Sequence, residues 1–455
     1  MIIERIKAAG IAHYSYFIGS HNYAAVLDPR RDCRVYLQMA EKYSLKIRYI
    51  LETHRNEDYV IGSLELSKIT GAGIYHGPGL NWKYGNTLKD GENIEFDNIK
   101  FTAIHTPGHT DESTSYLLTD VDFGAPVMVF TGDTLFVGDT GRTDLYGTEQ
   151  APRLAAALYD SLFKRLLPMG ESIIIAPAHG YGSICGGKIA ERDESTLGIE
   201  LKYNPKLKKD REEFIKNKLS EHLELPPYFK QMEKYNLAGP PILGQTPKPE
   251  PMTPSELLCE IGNGAVVVDT RRPYSFSGSH IKNSLSIWME GLPSFAGWVL
   301  SYDQPFVLVL EDASSLDTAV QYMVRLGFDR IVGYLKGSME EWATHGFPIE
   351  ALPMISVHEL QKRLKRHNAL NVLDVRDQDE WTFGHIAGAL HIYVGHLKDR
   401  LSEIPRDKPV AVICSVGNRA SLGASILLRA GYENVYNVAG GMMGWTAAGF
   451  AITTE

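Results

Sequence analysis

Residues 53–59 read Thr-His-Arg-Asn-Glu-Asp-Tyr, and they directly follow residues 47–52, whose pattern predicts a β-strand. Loops at strand ends commonly carry ligands. A cassette of the form T-H-x-H-x-D-H at such a place supplies two histidines to one metal, and an aspartate with a histidine to a second. Here Asn56 and Tyr59 replace two of those histidines. Neither is an ordinary zinc ligand, so a dinuclear hydrolytic centre is disfavoured, while His54 could still serve one mononuclear site.

Three later segments could complete the site that His54 begins. They are residues 105–110 (His-Thr-Pro-Gly-His-Thr), 131–134 (Thr-Gly-Asp-Thr) and 177–180 (Pro-Ala-His-Gly). Each ends or follows a predicted strand and lies beside glycine or proline, as ligand-bearing loops on a rigid sheet commonly do. A single histidine of this kind is more often structural than a metal ligand. The three segments together, in this order, predict a metal site.

The order of these motifs resembles the metallo-β-lactamase fold over residues 1 to about 215, and it is most similar to the branch of persulfide dioxygenases and glyoxalase II. Further matches to the persulfide dioxygenases are residues 141–144 (Gly-Arg-Thr-Asp), 195–196 (Ser-Thr) and 204–205 (Asn-Pro). The resemblance implies an αββα sandwich for this part of the chain.

By that resemblance, one Fe(II) would be held by His54, His109 and Asp133. Two histidines and one carboxylate form the facial triad of non-haem iron oxygenases, which leaves positions open for O₂ and substrate. Asn56 and Tyr59 remove only ligands of a second metal. The sequence therefore predicts a mononuclear site and favours oxidation over hydrolysis.

Other residues around the predicted iron site are expected to act without binding the metal. Asp58 is predicted to orient a ligating imidazole, and His179 to line the pocket and form hydrogen bonds. Arg142 either anchors an anionic part of the substrate or pairs with Asp144. Cys185, in the glycine-rich loop after His179, either brings a thiol to the pocket or is a buried structural cysteine. The sequence leaves these last two alternatives open.

The composition is that of a globular protein of several domains. At 455 residues the chain exceeds what one hydrophobic core usually organises. A net charge of -9 disfavours broad nucleic-acid binding. There is no apolar run of about 18 residues and no signal-peptide pattern, so we expect a cytoplasmic protein without a membrane partner. Four separated cysteines do not form a disulfide framework, and the oligomeric state is open, with a homo-oligomer possible.

The second half of the chain repeats itself at an offset of about 100 residues. Residues 266–271 (Val-Val-Val-Asp-Thr-Arg) return as 371–376 (Asn-Val-Leu-Asp-Val-Arg), and residues 337–342 return as 440–445. This offset predicts two tandem α/β domains rather than a solenoid, whose repeats are much shorter. We predict four segments: a first domain at 1–225, a proline-rich linker at 226–253, and the two copies at 254–350 and 351–455.

Cys414 follows a predicted strand at residues 410–413 and precedes a helical run, which is a suitable place for a nucleophile. Backbone N–H groups of such a loop can surround the sulfur, and the helix N-terminus favours the thiolate. Residues 414–420 (Cys-Ser-Val-Gly-Asn-Arg-Ala) resemble the C-x-x-G-x-R-A loop of rhodanese sulfurtransferases. The resemblance implies that Cys414 carries a sulfane sulfur as a persulfide and that Arg419 helps to hold the anion.

The first copy departs from that pattern, because its corresponding strand is followed by residues 311–315 (Glu-Asp-Ala-Ser-Ser), without a cysteine. We predict that residues 254–350 form a rhodanese-like domain with a structural or docking role.

The sequence as a whole predicts an α/β protein in which a metallo-β-lactamase αββα sandwich is followed by two rhodanese-like α/β domains. Its predicted activity is oxidation of a low-molecular-weight thiol persulfide to sulfite by O₂ at the iron, coupled to sulfur transfer between thiosulfate and persulfide at Cys414. The alternatives are a zinc thioester hydrolase of the glyoxalase II type and a sulfur carrier in which only Cys414 is active. The carrier thiol and the direction of sulfur flow are left open.

Overall fold

A computed structural model describes residues 1–366 and 370–455 of the chain. The described residues form two units. The first comprises Met1–Thr246 with Val324–Gly327, and the second comprises Pro247–Met323 with Phe328–Glu455. None of the described helices is long and apolar enough to cross a membrane.

The first unit contains two six-stranded sheets. One sheet has the order β1 to β6, and its strands are Ile2–Ala8 (β1), His13–Ser20 (β2), Tyr23–Leu27 (β3), Lys46–Leu51 (β4), Gly73–His76 (β5) and Asn86–Thr87 (β6). The other has the order β12 to β7, and its strands are Asn93–Phe96 (β7), Ile99–His105 (β8), Thr114–Asp120 (β9), Ala125–Gly132 (β10), Ile174–Pro177 (β11) and Ser195–Thr196 (β12). The predicted motifs lie at or just after the ends of β4, β8, β10 and β11, in the order in which they occur in the sequence.

The first unit also contains six α-helices. They are Arg34–Lys42 (α1), Ser63–Thr70 (α2), Ala151–Asp160 (α3), Leu197–Tyr203 (α4), Arg211–Leu219 (α5) and Phe229–Ala238 (α6), and α3 continues as a π-helix over Ser161–Leu166. Apolar side chains from both sheets, among them Tyr16, Phe101 and Phe130, form the core between them. Separate apolar clusters join α1 and α2 to the first sheet and α3 and α5 to the second. The predicted αββα sandwich is confirmed.

The second unit contains two five-stranded sheets whose paired strands are all parallel. The first sheet has the order β13-β17-β16-β14-β15, with strands Glu250–Met252 (β13), Val266–Asp269 (β14), Leu285–Ser286 (β15), Phe306–Val309 (β16) and Ile331–Leu335 (β17). Its helices are Pro254–Gly262 (α7), Pro273–Gly278 (α8), Leu292–Val299 (α9), Leu316–Arg325 (α10) and Ser338–Thr344 (α11).

The second copy repeats this order as β18-β22-β21-β19-β20. Its strands are Met354–Ser356 (β18), Asn371–Asp374 (β19), Leu390–His391 (β20), Val410–Ile413 (β21) and Val435–Ala439 (β22). Its helices are Val357–Leu364 (α12), Gln378–Phe383 (α13), Asn418–Arg429 (α14) and Gly441–Ala447 (α15). The predicted tandem repeat is therefore seen as two copies of one topology. The predicted linker, residues 226–253, includes the helix α6 and the strand β13.

Candidate metal centre and sulfur-transfer site

His54 lies in the loop after β4, where its ring is held by hydrogen bonds on one side. The Thr53 hydroxyl donates to Asp28 Oδ2 at 2.8 Å and lies 2.9 Å from His54 Nδ1. Because the hydroxyl proton is already used, Thr53 Oγ1 accepts from the N–H of His54 Nδ1. This tautomer leaves the lone pair of His54 Nε2 free for a metal.

His109 and Asp133 complete the predicted triad in the buried interior of the first unit. The His109 Nδ1 atom is 2.9 Å from the carbonyl oxygen of Arg142, so it donates there and its Nε2 faces the cluster. Asp133 Oδ2 lies 3.7 Å from His54 Nε2 and 3.5 Å from His109 Nε2. None of the three side chains is more than 1% exposed. The structure brings together the residues predicted to bind the metal.

The donor atoms of this triad suit a metal ion. Among the described residues, neither His54 Nε2 nor His109 Nε2 has a hydrogen-bond partner, although both are buried. Buried polar atoms are normally hydrogen-bonded, so two such nitrogens facing one carboxylate indicate a missing positive partner. Burial would raise the pKa of Asp133, but the imidazoles of His179 and His54 outweigh burial and hold that pKa well below its usual value.

Glu57 also belongs to this cluster, although no sequence pattern pointed to it as a ligand. It is fully buried, and its Oε1 lies 2.6 Å from His109 Nε2. One ligand atom from each of His54, Glu57, His109 and Asp133 lies within 4.8 Å of the others. Burial alone would raise the pKa of Glu57 and lower that of His109. Their mutual attraction outweighs it, lowering the pKa of Glu57 to about 2 and raising that of His109 to about 9.

Asn56 and Tyr59, which replace two histidines of the cassette, have structural contacts. Asn56 adopts the left-handed conformation, with φ of 51°, and its side-chain amide donates to the His54 carbonyl oxygen at 3.0 Å. Asparagine is among the residues that tolerate this conformation best. Tyr59 is fully buried and its ring centroid lies 4.2 Å from that of His13.

A second cluster consists of Asp58, His179 and Cys185, whose ligand atoms also lie within 4.8 Å of one another. His179 connects the two clusters, because its Nδ1 lies 2.8 Å from Asp133 Oδ1 and its Nε2 lies 2.9 Å from Asp58 Oδ2. Asp58 thus contacts His179, which is not one of the predicted ligands, so its orienting of a ligating imidazole stays a prediction. The buried His13, 5.3 Å from the His179 ring by centroid, was not anticipated.

Cys185 satisfies parts of both predicted alternatives. Its thiol lies beside Asp58 and His179, as the loop position suggested. It is also fully buried and packs with Phe136 and Ile189, as a structural cysteine would. Burial raises the pKa of the Cys185 thiol well above its usual value, and nearby carboxylates add to the effect. The structure therefore places a buried thiol, whose thiolate form is disfavoured, beside Asp58 and His179.

The guanidinium of Arg142 has all of its donors in use. Nε and Nη2 donate to the two carboxylate oxygens of Asp144, at 2.6 and 2.8 Å. The remaining N–H groups donate to three carbonyl oxygens, those of Leu223, Glu224 and Ile184. This geometry favours the ion pair with Asp144, one of the two alternatives from the sequence. Substrate anchoring by Arg142 stays a prediction that these contacts do not support.

Cys414 lies at the end of β21, and backbone N–H groups surround its sulfur. Gly417 donates to Sγ at 3.1 Å and Ala420 at 3.4 Å. Gly417 has φ of 113°, which a residue with a side chain rarely adopts, so this glycine is required for the turn. The Cys414 side chain is 1% exposed. The loop thus holds the thiol in the setting predicted for a sulfur-carrying nucleophile.

Arg419, predicted to hold the anion, is engaged by a carboxylate. Its Nη1 and Nη2 atoms donate to the two oxygens of Glu380 at 2.6 and 2.8 Å, and Nη2 also donates to Ser415 Oγ at 2.6 Å. Burial would lower the pKa of Arg419, but Glu380 outweighs it and raises that pKa. Sequence reasoning missed Glu380, because it lies on α13, far from the loop in the chain.

In the first copy an apolar residue takes the place of the cysteine. Asp269 pairs with Val309 just as Asp374 pairs with Ile413, so Leu310 corresponds to Cys414. Leu310 is 2% exposed. The position of the nucleophile is therefore occupied by leucine in this copy. Glu311 lies one position later, where it accepts hydrogen bonds from Arg272 N and Ser275 Oγ.

Two families match the chain in the predicted order. The metallo-beta-lactamase superfamily matches residues 9–179, and the rhodanese-like domain matches residues 253–345 and 356–448. A metallo-beta-lactamase of known structure from Staphylococcus aureus is 30% identical with a TM-score of 0.65, and the match covers 74% of this chain and 98% of that one. The predicted fusion of the two kinds of domain is confirmed.

Two of the curated relatives each match less than half of the chain. A mitochondrial persulfide dioxygenase, ETHE1 of Bos taurus, is 29% identical over 225 residues, which are 47% of this chain and 78% of the relative. A hydroxyacylglutathione hydrolase of Tolumonas auensis is 32% identical over 174 residues, which are 37% of this chain and 62% of that relative. The chain is thus similar to both an oxidative enzyme and a hydrolytic one. The metal that the site binds would distinguish these two activities.

Proposed function

Because this chain belongs to the metallo-β-lactamase superfamily and continues into two rhodanese-like domains, we propose that it oxidises a thiol persulfide with O₂ and transfers sulfane sulfur at Cys414. The observation that carries the proposal is the convergence of His54, His109 and Asp133, with two buried imidazole nitrogens that have no hydrogen-bond partner among the described residues. The similarity to a persulfide dioxygenase supports it.

The residues fit a mononuclear Fe(II) of the facial-triad kind. When bound, the iron would supply open positions at which O₂ and the terminal sulfur of the persulfide meet. The protein contributes orientation: Thr53 and the Arg142 carbonyl fix the two ring tautomers, and His179 holds one oxygen of Asp133. The overall reaction takes persulfide, O₂ and water to thiol and sulfite, so the terminal sulfur is oxidised and O₂ is reduced.

Sulfur transfer at Cys414 involves no net oxidation. The Cys414 thiolate attacks the sulfane sulfur of thiosulfate, a bond between the two sulfurs forms, and sulfite leaves with the electron pair of the broken S–S bond. The N–H groups of Gly417 and Ala420 stabilise the anionic sulfur. Sulfite and persulfide are thus shared between the two activities, which supports a function for their fusion in one chain.

The proposal is tested by metal analysis of the purified full-length chain together with oxygen uptake on glutathione persulfide. We expect one iron per chain and persulfide-dependent uptake. His54→Ala should abolish iron binding and oxygen uptake while leaving sulfur transfer from thiosulfate. Zinc in the site with no oxygen uptake would overturn the proposal, and loss of both activities in this one variant would contradict separate sites.

A zinc thioester hydrolase is the second candidate, favoured by the similarity to a hydroxyacylglutathione hydrolase and by the cluster of Asp58, His179 and Cys185. That function would use a second metal at this cluster. The same metal analysis separates the candidates, because two zinc ions per chain and hydrolysis of S-lactoylglutathione would support the hydrolase. We expect neither.

A further inference from the structure

Glu57 carries a buried carboxylate that lacks ordinary partners. The side chain is fully buried, and neither Oε1 nor Oε2 has a hydrogen-bond partner of normal geometry among the described residues. A carboxylate removed from water is costly unless it is hydrogen-bonded, paired with a cation or bound to a metal. The position of Glu57 therefore requires an explanation.

The nearby arginines have other carboxylates as partners. Arg55 lies two positions before Glu57, and its Nη2 is 3.3 Å from Glu233 Oε1. Arg142 uses both side-chain oxygens of Asp144. Both arginines thus pair with carboxylates that lie outside the metal cluster.

One polar atom in contact with Glu57 belongs to a predicted metal ligand. Oε1 of Glu57 lies 2.6 Å from His109 Nε2, but the two atoms are not aligned as a hydrogen bond. His109 Nδ1 already donates to the Arg142 carbonyl oxygen, which leaves a lone pair on Nε2 in the neutral ring. When His109 Nε2 carries a proton, the carboxylate pairs with it; when Nε2 binds a metal instead, the carboxylate oxygen lies within reach of the same ion.

The four side chains share one small volume. One ligand atom from each of His54, Glu57, His109 and Asp133 lies within 4.8 Å of the others, and all four side chains are buried. From these contacts we propose that the Glu57 carboxylate is a fourth ligand of the metal, so that this chain binds it with two imidazoles and two carboxylates. The inference rests on the metal of the proposed function.

A fourth ligand changes what the site can do. Two carboxylates balance the charge of a divalent cation, so the occupied centre would be neutral before substrate binds. One open position fewer remains than in a triad, which restricts how O₂ and the persulfide sulfur can approach together. Asn56 and Tyr59, which replace two histidines of the cassette, would then be part of a site for one metal. In that site Glu57 supplies an additional ligand.

The test is an anaerobic titration of the metal-free full-length chain with Fe(II) in competition with a chromogenic chelator. Glu57→Gln keeps the size of the side chain but removes its charge, and we expect iron affinity to fall by about 10- to 100-fold, as changes around a metal site commonly do. Glu57→Asp should recover part of the loss. Glu112→Gln is the matched control, because Glu112 is a fully buried neighbour outside the four-residue cluster.

Two further measurements keep the inference testable if a variant folds poorly. The absorption spectrum of the Co(II)-substituted chain should change in Glu57→Gln but not in Glu112→Gln, because only the first alters the ligand set. Added metal should raise the melting temperature less in Glu57→Gln than in the wild type.

The outcomes separate this inference from the proposed function. If His54→Ala binds iron as the wild type does, the metal site of the proposed function is wrong. If His54→Ala loses iron but Glu57→Gln keeps both the affinity and the Co(II) spectrum of the wild type, Glu57 is only an ion-pair partner of His109. The inference would then be overturned while the proposed function stands.

Discussion

The two rhodanese-like domains order their strands in the same way, and each contains a buried aspartate–arginine pair whose aspartate ends the corresponding strand, β14 or β19. They differ at the end of the neighbouring strand, where one copy has Leu310 and the other Cys414. The shared features are apolar strands and a buried ion pair, which maintain the fold. The chemistry depends on one thiol and the loop behind it, so a copy can lose the chemistry and keep the fold.

Replacing the thiol should have the largest effect. Cys414→Ser removes the nucleophile and should lower sulfur transfer from thiosulfate by at least about 10³-fold, the scale seen when an enzyme loses its nucleophile. Sulfur transfer to cyanide measures the loss, and oxygen uptake on a supplied persulfide should be unchanged. Substantial transfer remaining in Cys414→Ser would show that a second group carries sulfur.

The reverse replacement sharpens the comparison. Leu310→Cys restores a thiol to the first copy but leaves the acidic loop at Glu311 and Asp312 behind it. A carboxylate near the sulfur disfavours its thiolate form, so we expect no added sulfur transfer in a Cys414→Ser background. Measurable transfer in this double variant would mean that the missing thiol alone separates the two copies.

The buried ion pair should contribute equally in the two copies. Arg271 lies 2.7 Å from Asp269, and Arg376 lies 2.6 Å from Asp374, with both aspartates fully buried. Removing one partner of such a pair leaves an uncompensated charge, so Asp269→Asn and Asp374→Asn should each destabilise their domain by about 3 kcal/mol. Urea unfolding followed by tryptophan fluorescence measures both. A much smaller cost in the first copy would show that its fold has come to depend on other contacts.

Glu380 distinguishes the second copy electrostatically. It holds the guanidinium of Arg419 through two hydrogen bonds, which leaves that charge balanced before an anion arrives. Glu380→Gln should therefore lower the KM for thiosulfate, by about 5- to 10-fold, since one unit charge a few ångströms away is worth about 1 kcal/mol in a wet site. Glu403→Gln is the control, because Glu403 forms a similar but exposed pair with Arg400. A higher KM in Glu380→Gln would show that Glu380 mainly positions Arg419.

The order of motifs along the sequence was sufficient to predict the fold and the meeting of the three residues predicted to bind the metal. His54, His109 and Asp133 each follow a strand of one sandwich, so their sequence order determines where they meet. Cys414 was equally predictable, because a strand, a loop and a helix beside it define the position of its sulfur.

Glu57 and Arg142 show what the sequence could not provide. Glu57 belongs to one cluster and Asp58 to the other, directly after the left-handed residue Asn56, and spacing alone does not encode that turn. Arg142 was ambiguous because its partners include Leu223 and Glu224, about 80 residues away, which only the folded chain brings near. Contacts that depend on one backbone angle or on long-range packing cannot be predicted from a sequence pattern.

The smallest predicted effect concerns the contact between the two copies. Ser286 of the first copy and Ser421 of the second are fully buried, and their hydroxyl oxygens lie 2.7 Å apart. Either Ser286→Ala or Ser421→Ala leaves one hydroxyl without this partner and should cost about 1 kcal/mol of unfolding free energy. The double variant removes both polar groups, so its cost should be less than the sum of the single costs. Additive costs, measured by urea unfolding, would show that the hydroxyl pair does not couple the copies.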